Sequence, residues 1–191
     1  MSDVPEKAVV IGASAGALEA LSVILPQLPA DVTPPVMIVV HVPPDKRSVL
    51  SELFQAKCRV AVLEAEDKEP IRSGTVYFAP PDYHLLVETN GLLSLSSDEP
   101  VLFSRPSIDV LFESAADAYG AGLTAVVLSG ANQDGAQGLA SVVEAGGTAI
   151  VQDPDTAFAS AMPQAAVAMC PTALIMSLEE IATYLQKARS A

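Results

Sequence analysis

The chain has no tryptophan, two cysteines, two histidines and only 5% aromatic residues in 191 positions. Each scarcity excludes something. Cys58 and Cys170 are too few and too isolated for a disulfide framework, which suits a reduced, cytoplasmic setting. Both adjoin apolar runs, as small core residues do. Ten Lys and Arg stand against 23 Asp and Glu, for a formal net charge of −13. The cations are scattered, with "DKR" at 45–47 the densest group, so no basic stripe offsets the field. That excludes nucleic acid and anionic membrane surfaces as partners. No apolar run approaches the ~18–20 residues that span a bilayer, so membrane insertion is not expected. The start, "MSDVPEKAVV", lacks the basic flank and long apolar core of a secretory signal. Any chemistry that needs an imidazole must use His41 or His84.

What is present is apolar. Half of the residues are hydrophobic and 17% are charged, the balance of a chain with a buried core. The length suits one domain, residues 1–191, and no repeat, low-complexity tract or long linker divides it. Short β-branched runs, apolar on both alternations, occur at Ala8–Ile11, Val36–Val40, Thr124–Leu128, Thr148–Val151 and Thr172–Met176. They read as strands covered on both faces, as in parallel sheets. Helical patterns lie between them at Ala17–Leu25, Ser48–Gln55, Ser107–Tyr119, Gly135–Ala145 and Leu178–Lys187. Ser177 and Glu180 spell a capping box for the last. Asn90-Gly91 between two alternating runs predicts a β-hairpin from His84 to Ser96. The expected fold is α/β: a doubly wound, mainly parallel open sheet with helices on both faces and an appended β-hairpin.

The first strand-to-helix loop, "IGASAGA", places Gly12, Ser14 and Gly16 in a G-x-S-x-G pattern. A dinucleotide loop wants glycine where Ser14 stands and an acid at the end of the second strand, which here ends in His41. A P-loop wants Gly-Lys-Ser/Thr, and none follows. Two readings stay open. Ser14 is a helix N-cap, or it is a nucleophile whose partners lie on the same sheet edge.

The nucleophile reading requires a base and an orienting acid just after other strands. His41 closes "PVMIVVH" and is followed by "VPP"; His84 opens the hairpin and could line the crevice. Asp134 follows "TAVVLSGANQ" just before a helix, with Asp153 its rival after the next strand. Asp134 also reads as an N-cap, which does not exclude catalysis. Asp109 and Asp117 fall inside a helical pattern and read as solvent-facing. The chain order Ser14, His41, Asp134 differs from that of α/β-hydrolases, where histidine comes last.

With those positions in view, the chain resembles the catalytic domain of the CheB-type chemotaxis protein-glutamate methylesterases. The matching stretches are "VIGASAGALEAL", "HVPP", "VYFAPPDYHL", "RPSIDVLFESAA", "LSGANQDGAQGL" and "VQDPDTAFASAMPQAA". The resemblance implies a catalytic triad with Ser14 as nucleophile, His41 as base and then acid, and Asp134 as carboxylate. It implies hydrolysis of γ-glutamyl methyl esters on cytoplasmic helices of methyl-accepting chemoreceptors, with glutamine deamidation in some members. No metal or organic cofactor is implied. Backbone N–H groups at Ala15 and Ala131 are the candidates for an oxyanion hole, and Asn132 and His84 are candidates to line the substrate site.

Four positions depart from the family pattern. Ala15 and Ala17 stand where it has Thr and Gly, and Ala131 and Asn132 where it has Met and Gly. Losing the Met bulk enlarges the mouth of the site, and Asn132 adds an amide within reach of substrate. Members commonly carry a receiver domain ahead of the esterase, whereas here the esterase pattern starts near Met1. A lone catalytic domain, with a separate regulatory protein as partner, is therefore expected. The alternatives are a catalytically weakened adaptor, or an esterase or amidase acting outside chemotaxis.

Overall fold

A computed structural model of the protein describes residues 4–31, 33–43 and 49–189. The "DKR" group and Ser48 lie outside the described residues. Seven strands form one sheet, β1 (Ala8–Ala13), β2 (Val36–Val40), β3 (Ala61–Glu64), β4 (Thr75–Phe78), β7 (Leu123–Val127), β8 (Thr148–Gln152) and β9 (Leu174–Met176). Their order is β3-β4-β2-β1-β7-β8-β9, and every neighbouring pair is parallel. β5 (His84–Val87) and β6 (Leu93–Ser96) make the antiparallel hairpin, with Leu85 opposite Leu95. It stands as a separate two-stranded sheet.

The two alternations of each central strand feed two cores. Val9, Ile11 and Ala13 of β1 join Ile38, Val126 and Ile150 against α1 (Ala17–Ile24), α2 (Leu50–Gln55) and α6 (Leu178–Lys187). Ala8 and Val10 join Met37, Val39, Ala125 and Val151 against α3 (Ile108–Tyr119), α4 (Ala136–Glu144), α5 (Ala161–Met169) and the hairpin. A strand sandwiched in this way must be apolar on both faces, which is what its sequence shows. Among the described residues, no helix is long and apolar enough to cross a membrane.

Three elements differ from the sequence expectation. β3 and β4 add two strands at one side of the sheet. β3 is a four-residue edge strand with one buried position, too short for a pattern to register. α5 has no counterpart among the expected helices; it carries Pro163, which is its third residue. In a first turn the missing N–H has no helical partner to lose.

α3 packs tightly against the sheet and against α4 where glycines leave room for it. A Cβ on Gly12 would collide with the Ile108 side chain, and one on Gly138 would lie 2.7 Å from Phe112 Cβ. Glycine at both places lets the first turn of α3 settle between the end of β1 and the start of α4.

Candidate active site

Parallel strands bring their carboxyl ends to one edge, and open α/β sheets bind ligands in the crevice there. Successive strands are laid down on opposite sides of β1, toward β2 and β4 on one side and toward β7, β8 and β9 on the other, and the loop after β1 carries Ser14. α1 begins at Ala17 with Gly16 as its N-cap, in left-handed backbone at φ 84°, and no side chain caps it. Ser14 is therefore not the cap of that helix, so the capping reading falls. Glycine is needed at Gly16 for its φ, and because a Cβ there would lie 2.7 Å from Phe158 Cβ and 2.9 Å from Ser129 Oγ.

The Ser14 backbone is fixed on both sides. Its N–H donates to Ser129 O at 2.9 Å, and its carbonyl accepts from Ala17 N at 3.0 Å. Ser129 is 1% exposed. Its hydroxyl donates to Ala15 O at 2.6 Å and accepts from Ala159 N at 2.8 Å. One buried hydroxyl thus ties together the loops after β1, β7 and β8. Ser14 itself is half-buried, and its hydroxyl has no hydrogen-bond partner among the described residues.

His41 comes next to it. The β1–β2 register pairs Ala13 with Val40, and the His41 N–H donates to Ala13 O at 3.1 Å. Ser14 and His41 are the following residues on the two neighbouring strand ends. The alternation that sends Val10 and Val39 toward α3 carries both to that face. His41 Nε2 lies 2.7 Å from Asp134 Oδ2. The structure therefore joins His41 to Asp134 by a hydrogen bond, while Ser14 follows the neighbouring strand end and makes no hydrogen bond to either.

Asp134 is 0% exposed. Its Oδ2 also accepts from Ile108 N at 2.7 Å, and its Oδ1 accepts from Asp109 N and Ser107 Oγ, both at 3.0 Å. Burial, the largest influence, pushes its pKa up. The His41 hydrogen bond, the Asp109 and Ile108 N–H groups and the His41 charge together outweigh it and hold the carboxyl below its usual range. An ionised carboxylate can only accept, so Nε2 of His41 carries the proton and donates it. In the neutral ring the free lone pair is then on Nδ1. The carboxylate also meets the positive end of the α3 dipole.

Other sequence candidates land differently. His84 is 2% exposed. Its Nε2 donates to Glu99 O at 2.9 Å, and its Nδ1 accepts from Ser107 N at 3.1 Å. With both nitrogens engaged by backbone, it braces the hairpin on the start of α3 and does not line a substrate site. The Asn132 side-chain oxygen accepts from Asp134 N at 3.1 Å, so the carbonyl end of its amide is spent on holding the Asp134 loop. Asp153 forms a local turn, accepting from Asp155 N at 3.0 Å. Asp117 is exposed as expected, but Asp109 is 7% exposed, against the expectation of a solvent-facing residue. Its position three and seven residues before Phe112 and Ala116, both buried, was the overlooked signal. Neither the Ala15 nor the Ala131 N–H has a backbone or side-chain acceptor among the described residues. No group of three or more His, Cys, Asp or Glu that could hold a metal ion occurs among the described residues.

A fold with a serine, an imidazole–carboxylate pair and free backbone donors at the carboxyl edge of a parallel sheet defines a hydrolase class, and comparison with known proteins says which one. The CheB methylesterase family profile matches residues 9–185. A Leptospira interrogans protein provisionally named protein-glutamate methylesterase/protein-glutamine glutaminase is 47% identical over 92% of this chain and 91% of its own length. A Symbiobacterium thermophilum protein-glutamate methylesterase/protein-glutamine glutaminase is 35% identical over 96% of this chain but 51% of its own length. The chain therefore spans about half of that longer relative. The crystal structure of the Thermotoga maritima CheB methylesterase catalytic domain is 32% identical, with a TM-score of 0.90, covering 95% of this chain and 97% of that one. The protein belongs to the CheB methylesterase family.

Proposed function

We propose that the protein is a serine hydrolase that demethylates γ-glutamyl methyl esters on cytoplasmic helices of chemoreceptors, with Ser14, His41 and Asp134 as its triad. The observation that carries the reading is the 2.7 Å bond from His41 Nε2 to a fully buried, ionised Asp134, beside Ser14 on the next strand end.

Ser14 Oγ attacks the ester carbonyl carbon while Nδ1 of His41 accepts its proton. The imidazolium so formed keeps its second proton on Asp134, whose charge stabilises it. The carbonyl oxygen becomes an oxyanion within reach of the Ala15 and Ala131 N–H groups, a contribution often worth ~3 kcal/mol per donor. Collapse breaks the bond to methoxide, which leaves as methanol with the proton from Nδ1. Water then attacks the glutamyl–Ser14 ester, Nδ1 takes its proton, and that proton returns to Ser14 Oγ as the free glutamate is released. With a glutamine side chain the same steps expel ammonia, the basis for the second activity.

The test is methanol release from methylated receptor. Ser14→Ala and His41→Ala should each lower kcat by at least ~10³-fold while the fold is retained. Undiminished turnover in Ser14→Ala would remove the nucleophile and the reading with it.

A further inference from the structure

Asp134 is backed by a second buried carboxyl group that hydrolysis, as described above, does not use. Asp109 Oδ1 accepts from Gly135 N at 2.9 Å and from Gly138 N at 2.7 Å, while the Asp109 N–H donates to Asp134 Oδ1 at 3.0 Å. The arrangement is reciprocal. Asp134, just before α4, holds the first N–H groups of α3; Asp109, in the first turn of α3, holds the first N–H groups of α4.

The Asp109 carboxyl serves α4 rather than α3: Gly135, the N-cap of α4, has no side-chain cap of its own, and what Gly135 and Gly138 N–H ask of residue 109 is an acceptor, not a charge. α3 already has Ser107 as its N-cap, whose Oγ accepts from Val110 N at 3.5 Å. A neutral asparagine would satisfy Gly135 and Gly138 without setting two like charges together. Burial is the main reason that the Asp109 pKa is pushed up to about 6; the Gly138 N–H opposes it, the Asp134 charge adds to it, the Gly135 N–H lowers it and Glu113 raises it. What the clasp does achieve is rigidity. The loop carrying Asp134 cannot slide along α3 without breaking bonds on both helices at once.

We propose that Asp109 is a positioning residue for the hydrolysis, locking the Asp134 loop to the start of α3 so that the carboxylate stays on His41 Nε2 as the imidazole gains and loses its charge. The inference rests on the Ser14–His41–Asp134 reading, because the group it positions is that reading's orienting acid. A catalytic group displaced by ~1 Å loses on the order of 10²-fold in rate, so position is what the test should vary.

Three variants separate the possibilities: Asp109→Asn keeps the acceptor and drops the charge, Asp109→Glu keeps the charge and moves the acceptor by one carbon–carbon bond, and Asp109→Ala removes both. The rate of covalent labelling of Ser14 by a fluorophosphonate is measured well below each variant's melting temperature. In that reaction the serine oxygen bonds phosphorus, fluoride leaves and His41 takes the serine proton. His41→Ala is the control, and kcat and KM for methanol release are followed in parallel. Asp109→Asn should label within about threefold of the parent. Asp109→Glu and Asp109→Ala should label at least about tenfold more slowly, with kcat lowered to match and KM unchanged. A merely structural cap would lower the melting temperature and leave the labelling rate of folded protein intact, and that result overturns the proposal. So does slow labelling of Asp109→Asn with fast labelling of Asp109→Glu, which would make charge rather than position the cause. If Asp109→Ala does not fold, the Asn and Glu pair decides alone. His41→Ala labelling as fast as the parent would instead sink the triad, and this proposal with it, whereas slow His41→Ala beside parent-rate Asp109→Glu and Asp109→Ala sinks this proposal only.

Discussion

Two helices of this protein begin in opposite ways. α6 is capped by its own sequence: Ser177 Oγ accepts from Glu180 N at 3.2 Å, and the Glu180 side chain returns to Ser177 N at 2.8 Å, both at the surface. α3 has its local Ser107, yet the first N–H groups of the helix, at Ile108 and Asp109, go to Asp134, a residue from a loop 26 positions further along. The α6 box asks nothing of the rest of the molecule. The α3 cap depends on the loop between β7 and α4, which carries Asp134, and it is wholly buried. The comparison shows what a cap supplied from a distant loop can do that a local one cannot. A helix start completed from afar brings a charge-holding carboxylate to a chosen place, and here that place is against His41.

The largest expected effect is at Asp134. Asp134→Ala removes the acceptor for Ser107 Oγ, Ile108 N, Asp109 N and His41 Nε2 together. Each buried donor left unpaired costs about 1–3 kcal/mol, so the denaturation midpoint should fall by several kcal/mol in stability, with kcat down roughly 10⁴-fold as for a lost orienting acid. Asp134→Asn sharpens the comparison. It still offers an acceptor to the backbone of α3 but cannot hold an imidazolium, so most of the stability should return while kcat stays low. Parallel recovery of both in Asp134→Asn would show that the site needs only the cap.

Gly12→Ala tests the same helix start from the sheet side. Its Cβ would collide with Ile108, the residue whose N–H donates to Asp134 Oδ2 at 2.7 Å. Overpacking of this kind costs about 1–3 kcal/mol. Chemical denaturation should read that loss, with a drop in kcat as Ile108 pulls away from the carboxylate. Parent-like stability would mean that α3 can retreat freely, against the tight contact described above.

The pair of acids also gives the start of α3 a pH signature. Asp109, raised to about 6 from an ordinary 3.8, keeps its proton in the folded state after the unfolded chain has lost it. Stability therefore falls as pH rises through that window, and the penalty is complete above it. Asp134 is shifted the other way; its contribution is present above the ordinary carboxylate range and lost as acid protonates the folded form. Because a pKa unit is worth about 1.4 kcal/mol, Asp109→Asn should gain on the order of 1–3 kcal/mol over the parent between pH 4 and pH 7. Urea midpoints at the two pH values check this, and a constant difference between the proteins would refute the raised pKa.

The same contrast explains how much could be read in advance. β2 at Val36–Val40 and α6 at Leu178–Lys187 have the boundaries the sequence predicts, because both signals are local: an apolar run between prolines and a histidine, and a capping box before an amphipathic stretch. The parallel sheet followed from runs that are apolar on both alternations. Ser14, His41 and Asp134 could be chosen because the carboxyl edge of a parallel sheet collects the ends of distant strands. The clasp could not. That Asp109 grips Gly135 and Gly138, or that His84 spends both nitrogens on Glu99 and Ser107, depends on which helix start meets which loop. α5 was hidden for a local reason, a proline that is harmless only because it falls in the first turn.

The smallest effect belongs to the self-sufficient helix start. Ser177→Ala removes the acceptor for Glu180 N and leaves the Glu180 side chain free to hold Ser177's backbone N–H, since that bond uses no side-chain atom of residue 177. An N-cap substitution of this kind costs ~1 kcal/mol. It should lower the melting temperature by a few degrees, as that amount does in a domain of this size. Labelling of Ser14 and methanol release should not change, because α6 packs on the face of the sheet opposite α3. If Ser177→Ala slowed either reaction, the two helix starts would be coupled through the sheet, and the separation between a cap that serves only its helix and a cap that serves the site would fail.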